Sequence, residues 1–314
     1  MIAVLALASI GGGYQTLGAA ADADAYPMPG QLIDVGGHRL HRRCTGAGTP
    51  TVVLEPGAGE MSSNLRWIAP AVAQDTRVYV YDRAGRGWSE PAAGAQDGAQ
   101  IATDLHTLLQ RGHVPGPYVL AGHSFGGLYV LTFAAGYPDE VAGMVLVDST
   151  APAAAANGGT PSPGHGGSND AMRRLSALVS TAARLGLARL YAQFAWGSLP
   201  PRSRDEVRAS DATASTLGST IDEYAQANAS SEQAAALGDF ADRPLIVLTA
   251  GRGHDAAWSA AQNRMARLST NSVHRGIAGA THQDLIANQE DAAATTQAIL
   301  DVVASVRSPR RLVR

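Results

Sequence analysis

Residues 118–131 read Tyr-Val-Leu-Ala-Gly-His-Ser-Phe-Gly-Gly-Leu-Tyr-Val-Leu. An apolar run reaches a serine with a glycine two positions away on either side, and a second apolar run leaves it. The first run reads as a buried strand and the second as the start of a helix. A strand that turns into a helix this abruptly has room for little more than glycine beside the turn. Gly122 and Gly126 supply that room, and Ser124 takes the strained position between them. The turn holds the hydroxyl clear of the sheet, and the first N–H groups of the helix point toward any anion that develops there. With 35 glycines in 314 residues, chance alone could produce the pentapeptide. Its strand-turn-helix setting gives it meaning.

The rest of the chain repeats the alternation of strand and helix. Gln31–Val35 and Arg39–Arg43 flank Gly36-Gly37 and predict a hairpin. Strands are expected at 51–54, 77–81, 117–122, 141–147, 244–249 and 272–277. Helices are expected at 64–73, 99–110, from the serine turn to about 137, at 256–268 and at 290–306. This pattern predicts an α/β fold with a mostly parallel sheet covered on both faces. Residues 151–169 are rich in Ala, Gly, Pro and Ser and read as a flexible loop. Helical patches at 175–190, 204–217 and 221–237 follow without strands between them. An insertion at 150–243 would lie over the C-terminal strand ends, where open α/β sheets bind ligands. It reads as a helical lid. The expected organisation is an N-terminal segment at 1–28, a core at 29–149 and 244–307, the lid at 150–243 and a basic tail at 308–314.

A net charge of −3 implies no nucleic-acid partner. The single cysteine, Cys44, excludes an intramolecular disulfide. No Cys/His cluster suggests a metal, and no cofactor is implied. Residues 1–20 carry no charged side chain. Their strongly apolar part, Ile2–Ile10, is shorter than a membrane span and closer to a signal-peptide core. A frayed Ala-rich end and a remnant of a longer anchor are equal readings. Membrane contact is expected only through this segment, and the compartment stays open between export, anchoring and the cytoplasm.

Three features together resemble the α/β-hydrolase superfamily, specifically lidded bacterial serine hydrolases of esterase and proline-iminopeptidase type. They are Gly122-His123-Ser124-Phe125-Gly126, the turn Tyr81-Asp82-Arg83-Ala84-Gly85-Arg86-Gly87-Trp88-Ser89, and Gly279-Ala280-Thr281-His282. The resemblance runs from about Pro29 to Val306 and becomes vague through the lid. It implies that Ser124 is a nucleophile served by a later acid and histidine. His282, in a Gly/Ala loop after the last strand, is the expected base. His274 begins that strand and is expected to pack or face solvent, and His123 to be a packing residue. Asp82 and Arg83 are expected to fix their turn.

Two residues fit the acid. Asp148 ends the strand after the elbow helix, where some members of the superfamily, haloalkane dehalogenases among them, carry theirs. Asp255 follows the strand at 244–249, the commoner place. It stands one residue later than the usual Gly-x-x-Asp spacing from Gly251, and it could equally cap the next helix. Asp148 is preferred and Asp255 kept as the alternative. The oxyanion donors implied are the N–H groups of Phe125 and Ala58. Relatives often carry His-Gly where this chain has Pro56-Gly57.

The expected activity is hydrolysis of carboxylic esters through an acyl-enzyme on Ser124, with a small-molecule ester or amide as substrate. An iminopeptidase-like aminopeptidase is one alternative and would need a lid carboxylate for the substrate amine. Glu206, Asp211, Asp222 and Glu223 are available, although a solvated helix face explains them equally. A non-hydrolytic ligand-binding protein on the same fold is the other alternative.

Overall fold

The computed structural model describes residues 2–153, 178–308 and 310–313, with side chains from residue 9 onward. The expected loop at 151–169 and the start of the helical patch at 175–190 fall largely outside these residues. Eight strands form one sheet: β1 (Gln31–Asp34), β2 (Arg39–Thr45), β3 (Thr51–Glu55), β4 (Val78–Tyr81), β5 (Tyr118–His123), β6 (Val141–Val147), β7 (Leu245–Ala250) and β8 (Ser272–Ile277). Their order is β1-β2-β4-β3-β5-β6-β7-β8. The β1–β2 and β2–β4 pairs are antiparallel, and every other pair is parallel.

The central strands are buried at every position of β3, β5 and β7. Their sequences are near-continuous apolar runs, as a sheet covered on both faces requires. One face packs on the helices Gly98–Arg111 and Gly126–Gly136, with Leu105, Leu108, Leu128 and Leu131 in the core. The other packs on Gln289–Arg307 through Ile299, Val302 and Val303.

One expected helix is not continuous. Residues 64–73 are a 3-10 turn at Ser62–Leu65 followed by a short helix at Ala69–Val72. Pro70 stands at the start of that helix and has no N–H to give a preceding turn, which ends continuity there. Between β6 and β7 lie helices at Leu187–Ala192, Pro201–Asp211, Ala214–Ala225 and Ala227–Ala234. The expected patch at 204–217 is split because Thr213 caps a new helix, accepting from the Thr216 N–H at 3.1 Å.

The N-terminal segment is a helix, Ile2–Ala25. It leans on the inserted helices: Gln15 donates to the Ala212 carbonyl at 3.0 Å, and Arg189 pairs with Asp22 at 2.7 Å. Among the described residues, no helix is long and apolar enough to cross a membrane.

Candidate active site

The site assembles at the C-terminal ends of β3, β5, β6, β7 and β8. Ser124 occupies the turn between β5 and the Gly126–Gly136 helix with φ at 54°. Its N–H donates to Val147 O at 3.1 Å, and its carbonyl accepts from Thr150 N–H at 3.0 Å. The end of β6 thus pins the turn from both sides. A Cβ on Gly122 would lie 2.5 Å from the Gly126 carbonyl oxygen, and one on Gly126 would lie 2.4 Å from that of Glu55. The turn is folded onto itself at the first glycine and onto the loop after β3 at the second.

That loop brings Gly57 against the serine: a Cβ there would meet Ser124 Cβ at 3.0 Å. Its amides are nearly all engaged. Gly57 N–H donates to Glu60 Oε2 at 2.6 Å and Gly59 N–H to Glu223 Oε2 at 3.1 Å. Glu60 N–H reaches Gly57 O at 3.1 Å. The N–H groups of Ala58 and Phe125 meet no acceptor among the described residues.

Asp148 directly follows β6, with φ at 43°, and is fully buried. His282 Nδ1 donates to its Oδ2 at 2.7 Å. His254 Nε2 reaches the same oxygen at 2.6 Å. Trp258 Nε1 and the Ala250 N–H donate to Oδ1 at 3.0 and 3.2 Å. Burial pushes this carboxyl up, but the bonds from His282, Trp258 and His254 outweigh it and hold it below its ordinary value. Asp255 is elsewhere: it caps the Ala256–Met265 helix, accepting from the Trp258 N–H at 2.8 Å. Of the two candidate acids, the structure brings Asp148 to His282.

His123 does more than pack. It is buried, its Nδ1 lies 3.0 Å from Glu60 Oε2, and its Nε2 lies 3.2 Å from the His282 carbonyl. Its ring centroid is 4.5 Å from that of His282. Burial opposes charge on both His123 and Glu60. Their mutual attraction and hydrogen bonds prevail, holding His123 above and Glu60 below its ordinary value. His274 stays apart in β8, bonded to Thr249 and Asn263.

Arg83 and Glu223 hold the loop from the other side. Arg83 donates to Glu55 at 2.6 Å, Pro56 O at 2.7 Å, Gly57 O at 2.6 Å and Glu223 at 2.8 Å. Glu223, from the Ala214–Ala225 helix, also takes Arg86 at 2.8 Å. Burial raises the Glu223 carboxyl, yet the two guanidinium groups bring it down to about 2. Glu55 goes the other way: burial outweighs Arg83 and pushes it up to about 7. Within its own turn Asp82 accepts from Trp88 N–H at 3.3 Å; it also accepts from Ser62 N–H at 2.7 Å and pairs with His41 at 2.8 Å.

Asp148, His254 and His282 offer three ligand-type atoms within 4.8 Å of one another, a set that could hold a metal ion. Both imidazoles stand at hydrogen-bonding distance from Asp148 Oδ2, so a metal would have to displace both protons. Beside Ala58 and Gln283 opens a cavity of about 390 Å³. Its far wall is built by the inserted residues Tyr191, Trp196, Asp211 and Leu217.

The profile of the α/β-hydrolase fold family matches residues 50–288. The chain belongs to the α/β-hydrolase family. This α/β-hydrolase is 32% identical over 114 residues to the 2-hydroxy-6-oxononadienedioate/2-hydroxy-6-oxononatrienedioate hydrolase of Cupriavidus pinatubonensis, covering 35% of this chain and 39% of that protein. It spans less than half the length of the curated relatives it matches. A thermophilic esterase from Thermogutta terrifontis has a TM-score of 0.62 at 22% identity, covering 88% of this chain and 100% of that one. The enol-lactonase from Burkholderia xenovorans LB400 has a TM-score of 0.64 at 20% identity, covering 87% and 100%. The likeness to these two is one of fold.

Proposed function

We propose that this α/β-hydrolase is a serine hydrolase of carboxylic esters. The observation that carries the reading is the Asp148–His282 hydrogen bond at 2.7 Å, set at the strand ends where Ser124 stands. Ser124 Oγ attacks the ester carbonyl while His282 takes its proton through the ring nitrogen not bonded to Asp148. Asp148 fixes the tautomer and stabilises the imidazolium. The tetrahedral oxyanion sits against the N–H groups of Ala58 and Phe125. Collapse breaks the ester C–O bond, and His282 returns the proton to the leaving alkoxide. Water then attacks the acyl-enzyme by the same steps, releasing the acid and Ser124. The inserted helices act as the lid and build the cavity wall that selects the substrate.

The site geometry also suits amides, and the fold suits ligand binding without chemistry. The test is hydrolysis of p-nitrophenyl esters of graded chain length by wild type and Ser124→Ala. Wild type should turn over at least one of them and the alanine variant should lose nearly all activity. Undiminished turnover in Ser124→Ala would overturn the nucleophile, and no turnover in wild type would favour the other readings.

A further inference from the structure

Of the inserted-helix carboxylates Glu206, Asp211, Asp222 and Glu223, three are already engaged. Glu223 is bound by Arg83 and Arg86. Glu206 takes Ser63 and Arg202. Asp222 accepts the Gln96 N–H. Asp211 differs: it lines the cavity beside Ala58, among Val179, Ala182, Tyr191, Ala195 and Leu217. Its Oδ2 takes the Trp196 Nε1–H at 2.8 Å, and its Oδ1 has no partner among the described residues. A carboxylate in an apolar wall with half its acceptors unused is an unfavourable arrangement for a cavity meant for a purely apolar group. Any apolar ligand that displaced water from the cavity would strip Asp211 of its remaining solvation. A hydroxyl would satisfy the lone pair and leave the charge uncancelled. A protonated amine, which brings an N–H donor and a positive charge together, satisfies both.

We infer that Asp211 selects substrates carrying an ammonium group, so that the ester taken by this site is a cationic one. The inference rests on the ester-hydrolase reading and adds the charge class of the substrate. Burial is the largest influence on Asp211 and pushes it up to about 6, against the Trp196 bond and the attraction of Arg86 and with the repulsion of Glu60. It is therefore mainly ionised at neutral pH and ready to take a cation. Below pH about 6 it is protonated, and the preference for a cation should fade. The cation could arrive on the acyl or on the alcohol side of the ester. The chemistry at Asp211 is the same for both.

Two matched pairs, each with a nitrogen that is protonated at pH 7.5 and carries an N–H, distinguish the sides: 6-aminohexanoic acid p-nitrophenyl ester against p-nitrophenyl heptanoate, and 2-(dimethylamino)ethyl acetate against 3-methylbutyl acetate. Within each protein the ratio of kcat/KM for cationic over neutral ester is measured at pH 7.5 and pH 5. Comparing that ratio between wild type and Asp211→Asn cancels the intrinsic reactivity of the esters. For one pair the ratio should fall roughly tenfold or more in Asp211→Asn at pH 7.5, and by less at pH 5. Ratios that match in the two proteins for both pairs would overturn the inference. Binding of n-butylammonium by calorimetry, to Ser124→Ala with and without Asp211→Asn, gives a readout that needs no turnover. Asp211-dependent binding with no ester hydrolysed would sink the ester reading and leave the cation site standing, whereas binding indifferent to Asp211 would sink the cation site.

Discussion

Ser124 and Asp148 both hold backbone in the left-handed region, at φ 54° and 43°. Each such non-glycine residue costs about 1–3 kcal/mol and persists only where the surroundings over-determine it. Here the ends of β6 and β7 do so, because the Ser124 N–H is tied to Val147 O and the Asp148 N–H to Leu248 O. Asp148→Asn should lose on the order of 10³–10⁴ in kcat, since the amide cannot hold His282 in the right tautomer. Asp255→Asn should keep its activity and, at most, lower the melting temperature by the value of a weakened cap, about 1 kcal/mol or less. Kinetics on the two variants side by side check this, and the reverse pattern would reassign the acid. Asp211 carries a second residue-scale expectation. Its carboxyl titrates higher in the fold than in the unfolded chain, so it destabilises the protein increasingly as pH rises from about 4 to about 6. Asp211→Asn should therefore melt above wild type at pH 7.5 and lose that advantage near pH 4. The placement of Ser124 at a strand-to-helix turn and of His282 in the loop after β8 is legible because each lies in a short local pattern. Asp148 and Asp255 were not separable, because only the fold shows which one a histidine 134 residues from Asp148 will meet.

At the scale of elements, the loop between β3 and the Ser62–Leu65 turn is held by several elements at once. Glu60, within the loop, ties it to His123 at the end of β5, while Arg83, from the turn after β4, and Glu223, from an inserted helix, hold it from the other side. These contacts bridge up to 164 positions of sequence, and nothing local announces them. That is why His123 read as packing and Glu223 as one of several surface carboxylates. His254 was missed for the same reason: it reaches Asp148 across 106 positions and lies stacked on Trp258, with ring centroids 4.6 Å apart. Glu60→Gln keeps the shape and an acceptor for Gly57 but removes the charge facing His123. It should lower kcat by roughly tenfold to a hundredfold with KM little changed, because a displaced Ala58 N–H weakens transition-state binding more than ground-state binding. Steady-state kinetics separate the two parameters. A rise in KM at constant kcat would mean the loop binds substrate rather than the oxyanion.

Over the whole molecule, buried carboxyls pull stability in two directions with pH. Glu223, Glu60 and Asp148 titrate below their ordinary values, so what they contribute is present above about pH 4 and is lost as pH falls through their folded values. Glu55 and Asp211 titrate above theirs, so they weaken the fold as pH rises toward 7 and 6 respectively. The melting temperature should peak at roughly pH 5 and decline on both sides. A steady rise from pH 5 to pH 8 would show that the raised groups do not govern. The mostly parallel sheet and its interruption by helices are legible from alternating apolar runs, whereas the strand order β1-β2-β4-β3-β5-β6-β7-β8 is not. The lean of the N-terminal helix on Arg189 was not, because its sequence carries no feature that names a partner.

Glu223 belongs to an inserted helix, yet its carboxylate anchors Arg83, Arg86 and the amide of Gly59. Any motion that lifts that helix withdraws all three anchors together. The molecule then resembles a machine with a guard interlock: with the cover raised, the working part is disengaged. In the reaction proposed for Ser124, water would reach the serine most freely when the amides of that loop are least well aligned.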